Sequence, residues 1–519
     1  MVEKYLNNRF YTLSLFPFLL GALTVFSYQP FNLTLINFFV LPILFYLIIF
    51  VKKKSQNKYR KKPFRKNLFY LGTSFGFGFY ISGIHWISNS LTFDDSFLIL
   101  IPFSLILIPL FLSLFFSLTI LIVGPFLSFN LKSIFLLAGS LSVSDYLRAK
   151  ILTGFPWNLW GYSFSWASEI IQILNNIGLF AFNLISITIF ILPAILFFNI
   201  SLQRKLFGIS LVIFTVFILF LNGNYAINKN KNLINSIEEK VNFKIVSPNF
   251  NLNYNLSLKD IELKLDKLLR FSNPENDLKT IFIWPEGVFS GYSYNDILIF
   301  KSKFLNNFNK NHYIVFGINR MDDKSGGYYN SLLVVNHKMK IIKEYRKQKL
   351  VPFGEFLPFQ KILSSVGIKK ITEGYGSYLK GKNQKNLVLE NLNILPLICY
   401  EIIFTELTQE SNNKTNIIIN ISEDGWFGKT IGPHQHFSKA IFRAIEHNTY
   451  LLRSANKGIS AIIDNKGKVV KKLKSDEAGN IELQVPLIKK PEKNKNDLIF
   501  FILLFTYILF FNLNKNKNV

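Results

Sequence analysis

The feature that most constrains this chain is recurrence. Apolar stretches of about 20 residues, each long enough to cross the hydrocarbon core of a bilayer, return through the first 222 residues. They read at 10 to 27, 33 to 51, 68 to 90, 97 to 127, 131 to 148, 172 to 199 and 205 to 221. A long polar region follows, and then one more apolar run, NDLIFFILLFTYILFFN, at 497 to 513. The pattern predicts a multi-span α-helical membrane domain of about eight transmembrane helices, with a large insert before the last one. The first run lacks the small-residue cleavage pattern of a signal peptide and is expected to be retained. The fifth carries the charged residues Asp145 and Arg148 near one end.

Composition agrees with this reading: half of the 519 residues are hydrophobic, 55 of them Phe. The net charge of +27 does not point to nucleic acid, because the basic residues lie in short runs beside apolar stretches and no nucleic-acid recognition motif accompanies them. They are placed instead as membrane-flanking loops facing anionic lipid. KKKSQNKYRKKPFRK, LQRKL and the terminal NKNKNV alternate correctly across the spans if all three are cytoplasmic. That orientation puts the loop RAKILTGFPWNLWGYSFSW and the whole of residues 222 to 496 on the outer side. Cys399 is the only cysteine, so no intramolecular disulfide is available and no zinc or iron–sulfur spacing is present.

Residues 222 to 496 have a different texture. Short β-branched runs such as NFKIVSPNF, KTIFIWPE, HYIVFGINR, NILPLICYE and TNIIINISED alternate with amphipathic patterns such as LSLKDIELKLDKLLRFS and HFSKAIFRAIEHN. This predicts a layered α/β or α+β domain. The chain divides into an N-terminal membrane domain (1–221), an extracytoplasmic α/β domain (222–496), and a final span with a short cytoplasmic tail (497–519).

Three strand ends in the insert carry reactive side chains. In IFIWPEGVF, Pro285 stops a strand and leaves Glu286 at its carboxyl end, where open α/β sheets place their sites. In KEYRKQKLVPFGEFLPF, period-two alternation puts Lys343, Tyr345, Lys347 and Lys349 on one face, read as an exposed edge, before a Pro-Phe-Gly turn presents Glu355. In LPLICYEIIF the same alternation puts Cys399 and Glu401 on one face, so that the thiol shares it with an acid. Each has an ordinary reading on its own: a solvated turn acid, a solvated lysine run, a small buried thiol. Together, a thiol, a carboxylate and an ammonium at separate strand ends are what acyl transfer through a thioester requires.

These residues resemble a known arrangement. Glu in WPE, Lys in Y-x-K-x-x-L-V-P-F-G-E and Cys in I-C-Y-E, in that order, are similar to the Glu-Lys-Cys triad of the nitrilase superfamily. LTGFPWNLWGYS, LVPFGEFLPF, ICYEIIF, DGWFGKTIGPHQHF and RSANKGISAIID resemble its membrane branch, the apolipoprotein N-acyltransferase family, over nearly the whole chain. The resemblance implies an αββα nitrilase-type sandwich inserted between membrane spans, with Glu286 as general base, Lys347 as the cation that stabilises the oxyanion, and Cys399 as nucleophile. Glu355, Tyr400 and Glu401 would support them. Gly287 and Val288 stand where the family usually has Thr-Ala, Lys349 where His is common, and Glu423 and Gly425 where Asn and Ala are typical.

The resemblance also implies a reaction at a bacterial inner membrane, with the catalytic domain on the periplasmic side. Cys399 takes an acyl chain from a phospholipid, typically the sn-1 chain of phosphatidylethanolamine. The thioester then passes the chain to the α-amine of a diacylglyceryl-cysteine on an apolipoprotein. No bound metal or organic cofactor is implied. Trp157 and Trp160, with Trp166, are expected at the lipid interface, where amphipathic rings prefer to sit. His434 and His436 share an i, i+2 spacing but lack a third ligand. Two alternatives compete: a membrane-tethered amidase that uses the same triad on water, and a transporter or receptor in which Cys399 is core filler.

Overall fold

The computed structural model describes residues 7–56, 63–253, 255–361, 377–382, 386–409, 414–488 and 497–513. The chain forms two compact units. The first comprises residues 1–89, 98–226 and 495–519, and the second residues 90–97 and 227–494.

Helices occupy each of the eight apolar runs. They are α1 (Phe16–Leu23), α2 (Asn37–Gln56), α3 (Pro63–Ile84), α4 (Ile101–Val123), α5 (Leu131–Lys150), α6 (Leu174–Ile191) and α7 (Leu202–Asn235), with the last run, Leu498–Leu513, also helical. Among the described residues, four helical stretches are long and apolar enough to cross a membrane: Thr34–Ser55, Asp95–Phe126, Ile170–Phe197 and Leu202–Asn235. Tyr11–Ser27 and Leu498–Asn512 are apolar but shorter.

Within this unit the charges of α5 neutralise each other. Arg148 Nη2 donates to Asp145 Oδ1 at 2.8 Å, and both residues are buried. Asn183 of α6 donates to Asp145 Oδ2 at 2.9 Å and accepts from the Gly161 N–H at 3.0 Å. The pair is thus paired and hydrogen-bonded, as a buried charge must be. It also ties the 151–166 loop to two helices.

The second unit is a sandwich of two six-stranded sheets, β12-β1-β2-β3-β4-β5 and β11-β10-β9-β8-β7-β6. The first sheet contains β1 (Lys240–Ser247), β2 (Thr280–Ile283), β3 (His312–Met321), β4 (Tyr328–Asn336), β5 (Ile341–Arg346) and β12 (Gly479–Pro486). The second contains β6 (Leu387–Leu389), β7 (Leu392–Ile398), β8 (Ile417–Glu423), β9 (Tyr450–Asn456), β10 (Ser460–Ile463) and β11 (Val469–Leu473). β1, β2 and β3 are parallel neighbours, as are β7, β8 and β9. The functional strand ends therefore come to one end of each sheet.

The two sheets face each other across one apolar core, in which Ile245, Ile283, Val315, Leu332 and Val334 of one meet Ile398, Ile419, Ile421 and Leu452 of the other. Helices cover the outside. Helix α8 (Leu258–Ser272) starts at a capping box in which Ser257 and Asp260 exchange hydrogen bonds, and stops at Asn273, which takes the left-handed conformation. Its Ile261, Leu265 and Leu268 pack on Phe282, Trp284 and Phe316, together with Phe304 of α9 (Lys301–Asn307). Helix α10 (Gly432–His447) packs on the second sheet; Pro433 in its first turn needs no amide partner. With α11 (Leu498–Leu513), the chain is α-helical at both ends and α/β between.

Candidate active site

Glu286 follows β2 by three residues, and Gly287 beside it takes a φ of +69°, which a glycine adopts without strain. Its neighbour on β3 must be small: a Cβ on Gly317 would lie 2.9 Å from the Cα of Glu286. The Glu286 carboxylate is buried and accepts three bonds. Oε1 takes Asn330 Nδ2 at 2.7 Å and Lys347 Nζ at 3.3 Å, and Oε2 takes the main-chain N–H of Glu423 at 3.1 Å.

Lys347 lies just past the end of β5, where its N–H donates to the carbonyl of Asn330 at 2.9 Å. Its ammonium is 1 % exposed and also reaches Glu355 Oε1, at 2.8 Å. Burial alone lowers a lysine; here the charges of Glu286 and then Glu355 outweigh it and hold the Lys347 ammonium well above its usual range. Lys349 goes elsewhere. It pairs with Glu406 and lies over the Phe404 ring, 4.8 Å from its centroid.

Glu355 closes its own loop, accepting the Val351 N–H on Oε2 at 2.8 Å while Oε1 takes Lys347 and Asn330 Nδ2, the latter at 2.8 Å. Asn330 therefore bridges both acids with one amide nitrogen. No motif in the sequence marks it. The signal was an amide in phase with Leu332 and Val334, which face the core between the sheets.

Cys399 sits where β7 stops and a single 3₁₀ turn, Cys399–Ile403, begins. Its φ of +49° is a strained value for a residue with a Cβ. The residue keeps some exposed surface, while burial, reinforced by the charge of Glu286, pushes its thiol well above the usual range against the opposing pull of Lys347. Its carbonyl is 3.3 Å from His436 Nε2, and His436 Nδ1 is 2.9 Å from Asp424 Oδ1. Burial would raise the Asp424 carboxyl, but Arg453, donating to Oδ2 at 2.7 Å, and His436 outweigh it and hold it well below the carboxylate range. His436 is thus engaged with the turn, and among the described residues no group of three metal-binding side chains comes together.

The shared face expected for Cys399 and Glu401 is not found. The strand ends at Ile398, and the left-handed turn at Cys399 swings the next residues out of the period-two pattern. Glu401 is fully buried and points the other way, accepting from the main-chain N–H groups of Gln348 (2.6 Å), Ile398 (2.9 Å) and Lys349 (3.1 Å), and from the Tyr345 hydroxyl (3.0 Å). It braces the cysteine turn against the segment that carries Lys347. Burial pushes it up to about 7 despite these donors. The exposed lysine edge is corrected too: β5 is the sheet's edge strand, but Tyr345 and Lys347 are buried by Glu401, Glu355 and the opposite sheet. Tyr400 stacks edge-on against Phe404, with ring centroids 5.0 Å apart.

Trp157 and Trp160 are each 1 % exposed and do not present their rings to a bilayer surface. Trp157 packs against Trp86 at 4.5 Å, and Trp160 against Phe79 at 5.2 Å, because ring-on-ring burial inside the helical unit is available to them. Trp166, donating to Thr34 at 2.7 Å, is the ring left exposed.

Two family profiles match this chain: "Apolipoprotein N-acyltransferase N-terminal domain" over residues 20–192 and "Carbon-nitrogen hydrolase" over residues 280–489. The apolipoprotein N-acyltransferase of Rhodopseudomonas palustris is 31% identical over 493 residues, covering 90% of this chain and 88% of that protein. The chain belongs to the apolipoprotein N-acyltransferase family. The family member of Allorhizobium ampelinum is 30% identical over 92% of this chain and 90% of its own length. Among solved structures, Nit3 of Saccharomyces cerevisiae, described as a member of branch 10 of the nitrilase superfamily, aligns at 17% identity and a TM-score of 0.36, covering 55% of this chain and 98% of that one. Within this N-acyltransferase the hydrolase match runs from the start of β2 to beyond β12, and so includes Glu286, Asn330, Lys347, Glu355, Cys399 and Glu401. The α/β domain is of the carbon-nitrogen hydrolase type, and the chain is an acyltransferase of a membrane context.

Proposed function

We propose that Cys399 is the nucleophile of this N-acyltransferase, Glu286 its general base and Lys347 the cation that meets the oxyanion. The observation that carries this is that Glu286 and Glu355 share the one buried ammonium of Lys347, and that the charges of Glu286 and Lys347 both act on the Cys399 thiol. The electrostatics favour one route. Lys347 is already committed to two acids, and burial wins at the thiol, so Cys399 rests protonated. Attack is then concerted with proton transfer to Glu286 rather than preceded by a thiolate.

In the first half-reaction Sγ bonds to an acyl-ester carbon of the phospholipid while the thiol proton passes to Glu286. The tetrahedral oxyanion collapses, the ester C–O bond breaks, and Glu286 returns the proton to the lysophospholipid oxygen. In the second, the α-amine of diacylglyceryl-cysteine on an apolipoprotein attacks the thioester, its proton goes to Glu286, the C–S bond breaks, and Glu286 returns the proton to the leaving sulfur, restoring the thiol and the base. Phosphatidylethanolamine, with its sn-1 chain, is the donor of this reading. The eight apolar helices span a bacterial inner membrane, with a membrane domain over 1–221 and a last span from 497. The basic loops are cytoplasmic, so residues 222–496 work on the periplasmic side.

The test is intact-protein mass spectrometry after incubation with phosphatidylethanolamine and no acceptor. An acyl adduct on Cys399 that a diacylglyceryl-cysteine peptide discharges is the expected result. An adduct discharged by water alone would make the protein an amidase-like hydrolase, and folded protein without adduct would return Cys399 to the core.

A further inference from the structure

Strand β8 ends at Glu423, whose main-chain N–H is the donor to Glu286 Oε2. Its side chain folds back into the protein and is 5 % exposed as a residue. Oε1 accepts the Gly425 N–H at 2.9 Å and Oε2 accepts Asn456 Nδ2 at 2.8 Å. Asn456 is held in turn, donating to the Phe250 carbonyl at 2.9 Å and accepting its N–H at 2.7 Å, so the carboxyl is fixed rather than free to swing out. That carboxyl lies beside Gly287: a Cβ built there would meet Glu423 Oε2 in ordinary van der Waals contact, at 3.5 Å. A second carboxyl thus lies against the residue next to Glu286.

We propose that Glu423 is a positioning residue whose main-chain N–H holds Glu286 and whose fixed carboxyl sets the charge beside it, and through it the rate at which Cys399 is acylated. This rests on reading Glu286 as the base. Negative charge leaves Glu286 as it takes the thiol proton and reappears on the carbonyl oxygen. An anion on the Glu423 side of the site favours that movement of charge, because like charges in a buried site repel. The charged groups facing Glu423 are Glu286 after β2, Asp424 beside it in sequence, and Lys264 on α8; the first two disfavour its ionisation, and Lys264 favours it. Burial, the largest influence, pushes Glu423 up to about 8. It is therefore mostly neutral at pH 7 and becomes an anion just above. Acylation accelerates as pH rises through that ionisation, by about three- to tenfold.

The experiment follows single-turnover acylation of the full chain by phosphatidylethanolamine in detergent micelles, read by intact mass from about pH 6 to 9.5. Wild type, Glu423→Gln, Lys264→Met and Glu286→Gln are compared. The wild-type rate climbs with a midpoint near that of Glu423, Glu423→Gln loses the climb, and Lys264→Met moves the midpoint up by about half a pH unit. Lys264 lies on a partly exposed helix face, so this variant reads the same coupling if Glu423→Gln does not fold. A flat wild-type profile, or an unmoved midpoint in Lys264→Met, overturns the proposal. If Glu286→Gln acylates as fast as wild type, the base assignment itself falls. If Glu286→Gln is inert while Glu423→Gln keeps the wild-type climb, only the role of Glu423 falls.

Discussion

Two buried glutamates flank the cysteine turn, and they differ in who holds them. Glu286 is held mainly by side chains, Asn330 and Lys347, with one main-chain N–H. Glu401 is held by three main-chain N–H groups and a phenol. Side-chain partners can follow a carboxyl as it gains and loses a proton; main-chain donors of a strand end and a turn are fixed by the fold. Burial and proximity to a thiol do not by themselves make an acid a base. A base needs partners that can move with it, and a brace needs partners that the fold holds still.

Substitutions should separate the two. The largest effect is expected at Glu286→Gln: acylation of Cys399 falls by about 10²- to 10⁴-fold, the usual worth of a general base, with the thermal midpoint little changed. A midpoint that falls with the rate would make Glu286 a second brace. Lys347→Ala should abolish acylation and also destabilise the fold, by about 3–5 kcal/mol, because two buried carboxylates lose their shared cation; Lys349→Ala, whose partners are Glu406 and the Phe404 ring, should leave the rate within about twofold. Equal losses in these two lysine variants would mean that the sequence register is misread.

Glu401→Gln should lower stability by about 1–3 kcal/mol, since an amide N–H₂ is set against main-chain donors, and should slow acylation only as the turn loosens. Its pH signature has a definite sign. The folded chain holds the Glu401 proton more tightly than the unfolded chain, with the group pushed from 4.5 up to about 7. Its stabilising contribution is therefore complete below the unfolded value and lost as pH rises through about 7. Thermal midpoints measured across that window should fall in wild type and flatten in Glu401→Gln. The smallest effect is Tyr345→Phe, which removes one donor to Glu401 and is expected to cost about 1 kcal/mol by denaturant titration.

Much of this was legible in the residues. Pro285 after an apolar strand put Glu286 at a strand end, and the Pro-Phe-Gly turn did point to a shaped loop around Glu355. The eight apolar runs marked eight helices, since a backbone in lipid must satisfy its own donors and acceptors. Other features were hidden for physical reasons. Period-two alternation holds only while the backbone stays extended, and a left-handed Cys399 is a choice of the folded chain rather than of local propensity, because a residue with a Cβ resists it. Asn330 is an ordinary amide until the facing loops bring two acids to it. Trp157 and Trp160 have the preferences of interfacial rings, but neighbouring aromatics offered them a drier place.

Which side chains have reactive chemistry, which segments are apolar enough to be helices in lipid, and where strands stop can all be read along the chain, because these depend on composition, period and punctuation over a few residues. Which of the acids near the cysteine meets an ammonium and which meets the main chain follows from packing alone. That choice is made by strand ends from two different sheets, and by residues more than 100 positions apart such as Glu286 and Glu423, whose bond exists only once both sheets have packed.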